Sequence, residues 1–281
     1  MKIRKTTIVS PQRGWFDLDI GHLWDYRDLL FLFAMRDIKV RYKQTLLGPA
    51  WLILQPLALT AVFTIMISGV AGVSTGNQPA PLFYLTGLII WSYFSQIVYS
   101  TSHVFLANEH LFSKIYFPRI IVPASALLSN GVALLIQFMV VLVFLLAYGF
   151  AGKIDGPTWR IALFAPVALQ LAAFSLAIGL VLASSTAKYR DIANMTPFLI
   201  QVWMFVTPII YPFSSIPEKY RTLTSLINPL AVVVEESRWC FLGVSSVNAT
   251  QIMASILSTV VILAVGVIAY QRVERTVMDT I

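Results

Sequence analysis

The stretch RDLLFLFAMRDIKVRYKQTLLGPAWLILQPL, residues 27–57, changes character halfway. Its first part interleaves charged and apolar residues. After Lys43 the charge vanishes, and none returns until Glu109. A basic, aromatic helix therefore runs straight into a segment suited to hydrocarbon. The rest of the chain extends that reading. Of its 281 residues, 58% are hydrophobic and 12% charged, against about 25% charged in soluble domains. The sequence thus predicts one all-α integral membrane domain.

A spanning helix needs roughly 20 apolar residues. The charge-free blocks supply six spans, near 49–71, 82–105, 120–149, 161–184, 195–213 and 250–270. The turn GVSTGNQPAP, residues 72–81, divides the first block because Gly, Pro and Asn break regular structure. The predicted organisation is an N-terminal cytoplasmic segment 1–24, an amphipathic interface helix 25–45 and a six-span domain 46–281. Within that domain lie a loop at 106–119 and a segment at 214–249 with short re-entrant helices. The first span is expected to be an uncleaved anchor, since the apolar run begins near Leu46. Lys and Arg concentrate on the side that holds both termini, which predicts both ends in the cytoplasm. The net charge of +7 then serves topology and anionic headgroups, and does not point to nucleic acid. The single cysteine, Cys240, excludes an internal disulfide and a multi-cysteine metal site.

On the opening helix, Phe31, Met35, Ile38 and Tyr42 form an apolar stripe. Arg36, Lys39 and Lys43 line a neighbouring face, and Asp37 is placed to pair with Arg41 one turn on. Such a helix lies in the membrane interface. Two readings stand: a topology anchor, or cations that also receive an anionic lipid. The loop NEHLFSKIYFPRIIVPASAL, residues 108–127, keeps Leu111, Phe112, Ile115 and Tyr116 among Glu109, His110 and Lys114. That mixture suits docking in a partner's groove, or a plain interfacial loop. Glu109 and Phe112 are both expected at the surface. The third cytoplasmic segment, AKYRDIANM at 187–195, reads as headgroup contacts.

Aromatic residues crowd the second and fifth spans. Trp51, Trp91, Tyr93, Phe94, Tyr99, Phe205 and Tyr211 either pack the core or line a path on which sugar rings slide. Gln96 and His103 read as hydrogen-bonding residues between helices. Glu235 and Arg238 are one helical turn apart and read as an exposed pair at the external surface. Asn248-Ala-Thr matches a glycosylation acceptor only weakly. No predicted span carries Asp, Glu, Lys or Arg, which disfavours an ion-coupled carrier. No G-x-x-x-x-G-K-[ST] loop is present, so this chain lacks that device for nucleotide hydrolysis. Asp17-Leu-Asp19 is the sole hint of a membrane transferase.

Five stretches in order resemble a known family: RDIKVRYKQTLLGPAWLILQPL at 36–57, NEHLFSKIYFPRIIVP at 108–123, YRDI at 189–192, TPIIYPFSSIP at 207–217 and NPLAVVVEESRWCFLG at 228–243. The chain resembles the membrane subunits of bacterial ABC exporters of polysaccharides, the O-antigen, capsule and teichoic acid type. The likeness runs from about residue 25 to 275.

The resemblance implies a permease in the bacterial inner membrane, a homodimer docked to two separate ABC ATPase subunits. ATP and Mg would sit on those partners, with no catalytic residue, metal or cofactor in this chain. It implies ATPase coupling through Glu109, His110, Leu111, Phe112, Lys114 and Tyr116. It implies that Arg36, Lys39, Arg41, Tyr42 and Lys43 meet a lipid pyrophosphate at a lateral opening. It also implies an external gate containing Asn228, Pro229, Glu235, Glu236 and Arg238. The rival readings are an ABC exporter of small lipids or drugs and, further off, an ion-coupled carrier.

Overall fold

The computed structural model describes residues 24–76, 78–112 and 117–278, the last four as backbone only. Every regular element among them is helical. Five helices are long and apolar enough to cross a membrane: Gly48–Val70, Ala80–Ser102, Ile121–Phe150, Trp159–Lys188 and Ala249–Glu274. They coincide with five of the six predicted spans to within a few residues.

Helix α1, Arg27–Tyr42, comes first. Extended Lys43 and left-handed Gln44 and Gly48 end it and turn the chain. The α-helix α2, Trp51–Phe63, then continues as a π-helical turn through Thr64–Val70. Pro56 lies inside α2. Lacking an N–H, it cannot satisfy the carbonyl four residues back. Gln137 does so instead, its Nε2 donating to the Leu52 carbonyl at 3.2 Å.

Helix α3, Ala80–Ser102, is the most buried span and touches most of the others. Two one-turn helices follow, α4 (Val104–Ala107) and α5 (Glu109–Phe112). Then come α6, Ile121–Phe150, and α7, Phe164–Lys188. Helix α11, Ala249–Met278, packs along α7. Glycine leaves room for close approach on both sides of α7: a Cβ on Gly179 would lie 2.6 Å from Thr101 Cβ of α3, and one on Gly266 of α11 would lie 2.7 Å from the Ala177 carbonyl oxygen. Small residues serve this purpose where lipid cannot drive helices together.

The expected fifth span, 195–213, differs. Helix α8 runs Arg190–Val206, 17 residues, and then stops. Its rise is about 26 Å, short of the roughly 30 Å hydrocarbon core. Extended Thr207 leads into Pro208, and residues before proline favour extended backbone. Helices α9 (Glu218–Ile227) and α10 (Pro229–Leu242) then fold back on the bundle. Ser258 and Ser255 of α11 donate to the carbonyls of Leu226 and Pro229, at 2.6 and 3.2 Å. Asn248 caps α11 reciprocally: its Oδ1 accepts from the Gln251 N–H and its own N–H donates to Gln251 Oε1, both at 3.0 Å. The triplet weighed as a glycosylation acceptor is thus a helix start.

Candidate functional site

Functional candidates gather at the two ends of the bundle. At one end α1 packs beside α6, together with α4, α5 and the last turns of α7 and α11. A cleft of about 1,020 Å³ opens between α1, α3, α6 and α8, lined by Arg36, Arg41, Gln96, Tyr99, His103 and Asn130 among others. Arg41 does not bind Asp37, which is a correction to the expected pair. Its Nη1 donates to Gln96 Oε1 and Asn130 Oδ1, both at 2.9 Å. Asp37 pairs instead with Arg36, at 2.8 Å. Arg41 therefore ties α1 to two spans. Arg36, Lys39 and Lys43 are exposed, and Tyr42 is half-buried. Phe33 and Ala34 form the buried side of α1, while Phe31 and Met35 of the expected stripe face outward.

Beside this cleft the loop after α3 presents exposed Glu109 and His110 on α5. Phe112 corrects the expectation of surface exposure. It is buried at 9%, packs against Phe105 and Phe117 at 6.0 and 5.8 Å, and lies under the Arg119 guanidinium at 5.1 Å. Leu111 packs on the same cluster. Lys114 and Tyr116 lie outside the described residues. Two further contacts secure the loop. The Tyr270 hydroxyl donates to the Arg119 carbonyl at 3.3 Å, and the Arg119 N–H donates to Glu274 Oε1 at 3.2 Å. Phe117 meets Phe33 of α1 at 5.6 Å.

At the opposite end, Arg238 is the organising residue, and the expectation of an exposed pair is corrected. Arg238 and Glu235 are 3.3 Å apart with side chains 3% and 5% exposed. The same guanidinium donates to the Pro208 and Ile209 carbonyls at 2.8 and 2.9 Å and lies 3.6 Å above the Phe83 ring. The backbone that leaves α8 is thereby satisfied by a side chain of α10. Ser246 donates its hydroxyl to Glu235 Oε1 at 2.6 Å. Asn228 accepts from Trp203 Nε1 at 3.1 Å and donates to Thr207 Oγ1 at 3.0 Å. Pro229 begins α10. Glu236 faces different surroundings, the wall of a second cavity.

Residues 28–242 match the model of the ABC-2 type transporter family. The chain belongs to that family. The matched region opens within α1 and closes at the end of α10, so it includes most of both ends just described, without Ser246 and the last turns of α11. An O-antigen export system permease protein RfbA from Myxococcus xanthus is 29% identical over 87% of this chain and 92% of its own. RfbA from Klebsiella pneumoniae is 27% identical over 91% and 95%. The polysialic acid transport protein KpsM from Escherichia coli is 25% identical over 88% and 93%.

Within this ABC-2 subunit the aromatic candidates separate. Tyr99, Phe205 and Trp51 are exposed and Tyr211 is half-buried. Trp91, Tyr93 and Phe94 are 9%, 6% and 0% exposed. Phe94 packs between Phe174 and Trp203, at 5.7 and 5.4 Å. These three are packing residues of the bundle in this structure and present no surface to a glycan. Gln96 makes a hydrogen bond between helices, as read; the His103 ring instead bonds the Tyr99 carbonyl of its own helix, at 2.8 Å. The sequence reading missed Asn130, Ser246 and Phe83. Asn130 was findable as one of two amides, with Gln137, in a largely apolar span. Phe83 carried no such signal.

Proposed function

We propose that this ABC-2 chain is the membrane subunit of an ATP-driven exporter of a lipid-linked polysaccharide. The carrying observation is the likeness, over nearly the full length of both chains, to O-antigen export permeases and a polysialic acid transport protein. Two copies would form the path. α8 would complete six spans, and α9 and α10 would re-enter the outer half of the membrane. The end holding α1 and the C-terminal turns would face the cytoplasm, in the inner membrane of a bacterium. Two ABC ATPase subunits would supply ATP hydrolysis with Mg.

The residues of this chain then have distinct tasks. Exposed Glu109 and His110, with Lys114 and Tyr116, would meet the ATPase. Leu111 and Phe112 would anchor that contact in the subunit. Movement of the loop would pass to α11 through Arg119 and Tyr270, and to α1 through Phe117 and Phe33. Arg36, Lys39, Lys43 and Tyr42 would receive the pyrophosphate. Arg41, bound to Gln96 and Asn130, would hold the helix that carries them. Exposed Trp51, Tyr99 and Phe205 and half-buried Tyr211 remain as surfaces for sugar rings. Asn228, Pro229, Glu235 and Arg238 would fix the outer gate.

Deletion of the gene for this chain in its host, with complementation by a plasmid copy, tests the reading. Lipid-linked glycan should accumulate on the cytoplasmic face and return to the surface on complementation. Unchanged surface polysaccharide in the deletion strain would overturn it.

A further inference from the structure

A cavity of about 640 Å³ lies between α7, α10 and α11, at the end of the bundle away from α1. Its walls are apolar, with Leu163, Val167, Trp239 and Ile252 contributing. Its lip includes Leu169, Ile256 and Val260, all exposed. Among its lining residues Glu236 alone carries a formal charge. Glu236 Oε2 is buried and accepts no hydrogen bond among the described residues.

The neighbouring cations and donors are committed elsewhere. Arg238 serves Glu235 and two carbonyls. Arg160, ahead of α7, donates to the Gly243 carbonyl at 3.3 Å and to Thr158 Oγ1 at 3.1 Å. Gln170 Nε2 donates to Ser255 at 2.7 Å. A carboxylate in an apolar recess is costly without a donor, and a recess of this size and polarity is typical of ligand sites.

We propose that this cavity binds a phospholipid whose headgroup carries a primary amine, the ammonium donating to Glu236. The occupant follows from charge and place. The single charge is negative and lacks a donor, which selects a cation over a phosphate alone. The recess sits at the end of membrane-length helices, where headgroups lie. The exposed apolar lip offers the acyl chains a track toward the membrane interior.

Burial pushes the Glu236 carboxyl up, to about 7. Near neutrality it is divided between acid and carboxylate. An ammonium favours the carboxylate, so binding strengthens as pH rises from 6 to 8. Glu235, Arg238 and Cys240 on α10 and Arg160 are the other ionisable groups nearby, and α7 and α11 add none to the lining.

The test uses the full-length chain, delipidated in mild detergent, with native mass spectrometry of retained lipid. Dioleoyl-phosphatidylethanolamine should bind about tenfold more tightly than the phosphatidylglycerol or phosphatidylcholine analogue at pH 8, a difference of about 1.4 kcal/mol. That preference should shrink at pH 6. Glu236→Gln should bring the three lipids within about twofold. Ile256→Trp, which keeps the carboxyl but crowds the lip, should do the same. No headgroup preference in the wild-type chain, or a preference that survives Glu236→Gln, overturns the proposal. So does a preference lost in Glu236→Gln but kept in Ile256→Trp, because the amine would then bind outside the cavity.

Discussion

Arg238 shows how one side chain can hold a break in a membrane helix. Extended Thr207 before Pro208 ends α8, and the carbonyls of Pro208 and Ile209 need donors. The Arg238 side chain that reaches them is 3% exposed, and a buried polar group left unmet costs about 1–3 kcal/mol. The guanidinium fork meets both, and its charge is balanced by Glu235 and the Phe83 face. Arg238→Met should therefore lower stability by about 3–5 kcal/mol, as when one partner of a buried pair is removed. Glu235→Gln, which keeps an acceptor for Ser246, should cost less. Unfolding in detergent measures both, and an unchanged Arg238→Met midpoint would refute the role. The spacing of Glu235 and Arg238 was legible in the sequence. Their burial was not, because it depends on where α10 folds back, and nothing local to 235–238 encodes that.

At the scale of elements, five spans were legible because apolar length alone reports them. The remaining expected span, 195–213, ends early at Val206: TPIIYP at 207–212 is as apolar as a helix, and only its prolines mark the break. Helix α1 was recognised, but its faces were misassigned. Both sides carry apolar residues, so the stripe gave no clear period, and tertiary contact with Phe117 decided for Phe33. The tie between Arg41, Gln96 and Asn130 makes α1 part of the bundle. In a double-mutant cycle, Arg41→Met and Gln96→Ala should show coupling of about 0.5–3 kcal/mol. Amide exchange across 27–42 should accelerate in Arg41→Met. Arg36→Lys, at an exposed pair worth about 0–1 kcal/mol, should leave stability and exchange unchanged. Additive effects of Arg41 and Gln96 would place the anchor elsewhere.

Across the whole molecule, the loop after α3 joins an exposed face, the proposed ATPase contact, to a structural anchor within one helical turn. The two functions should separate on mutation. Glu109→Ala should leave stability within about 0.5 kcal/mol of wild type, as at most surface positions, and reduce export per ATP hydrolysed in the assembled complex. Phe112→Ala should cost about 3–5 kcal/mol, as deleting a buried aromatic does, and should loosen the C-terminal turns near Tyr270. Equal losses of stability in both variants would show that the loop is only structural. The loop was legible as a mixed polar and aromatic segment. Its division of labour was not, since Glu109 and Phe112 differ in burial through the positions of Phe105, Phe117 and Arg119. The pin at Arg238 also bears on biosynthesis. The Pro208 and Ile209 carbonyls leave the ribosome 30 and 29 residues before the guanidinium that receives them. A nascent chain stopped in that interval carries two unmet acceptors beside α8, so translation beyond Arg238 becomes a checkpoint, and shorter products present themselves to membrane proteases as unfinished.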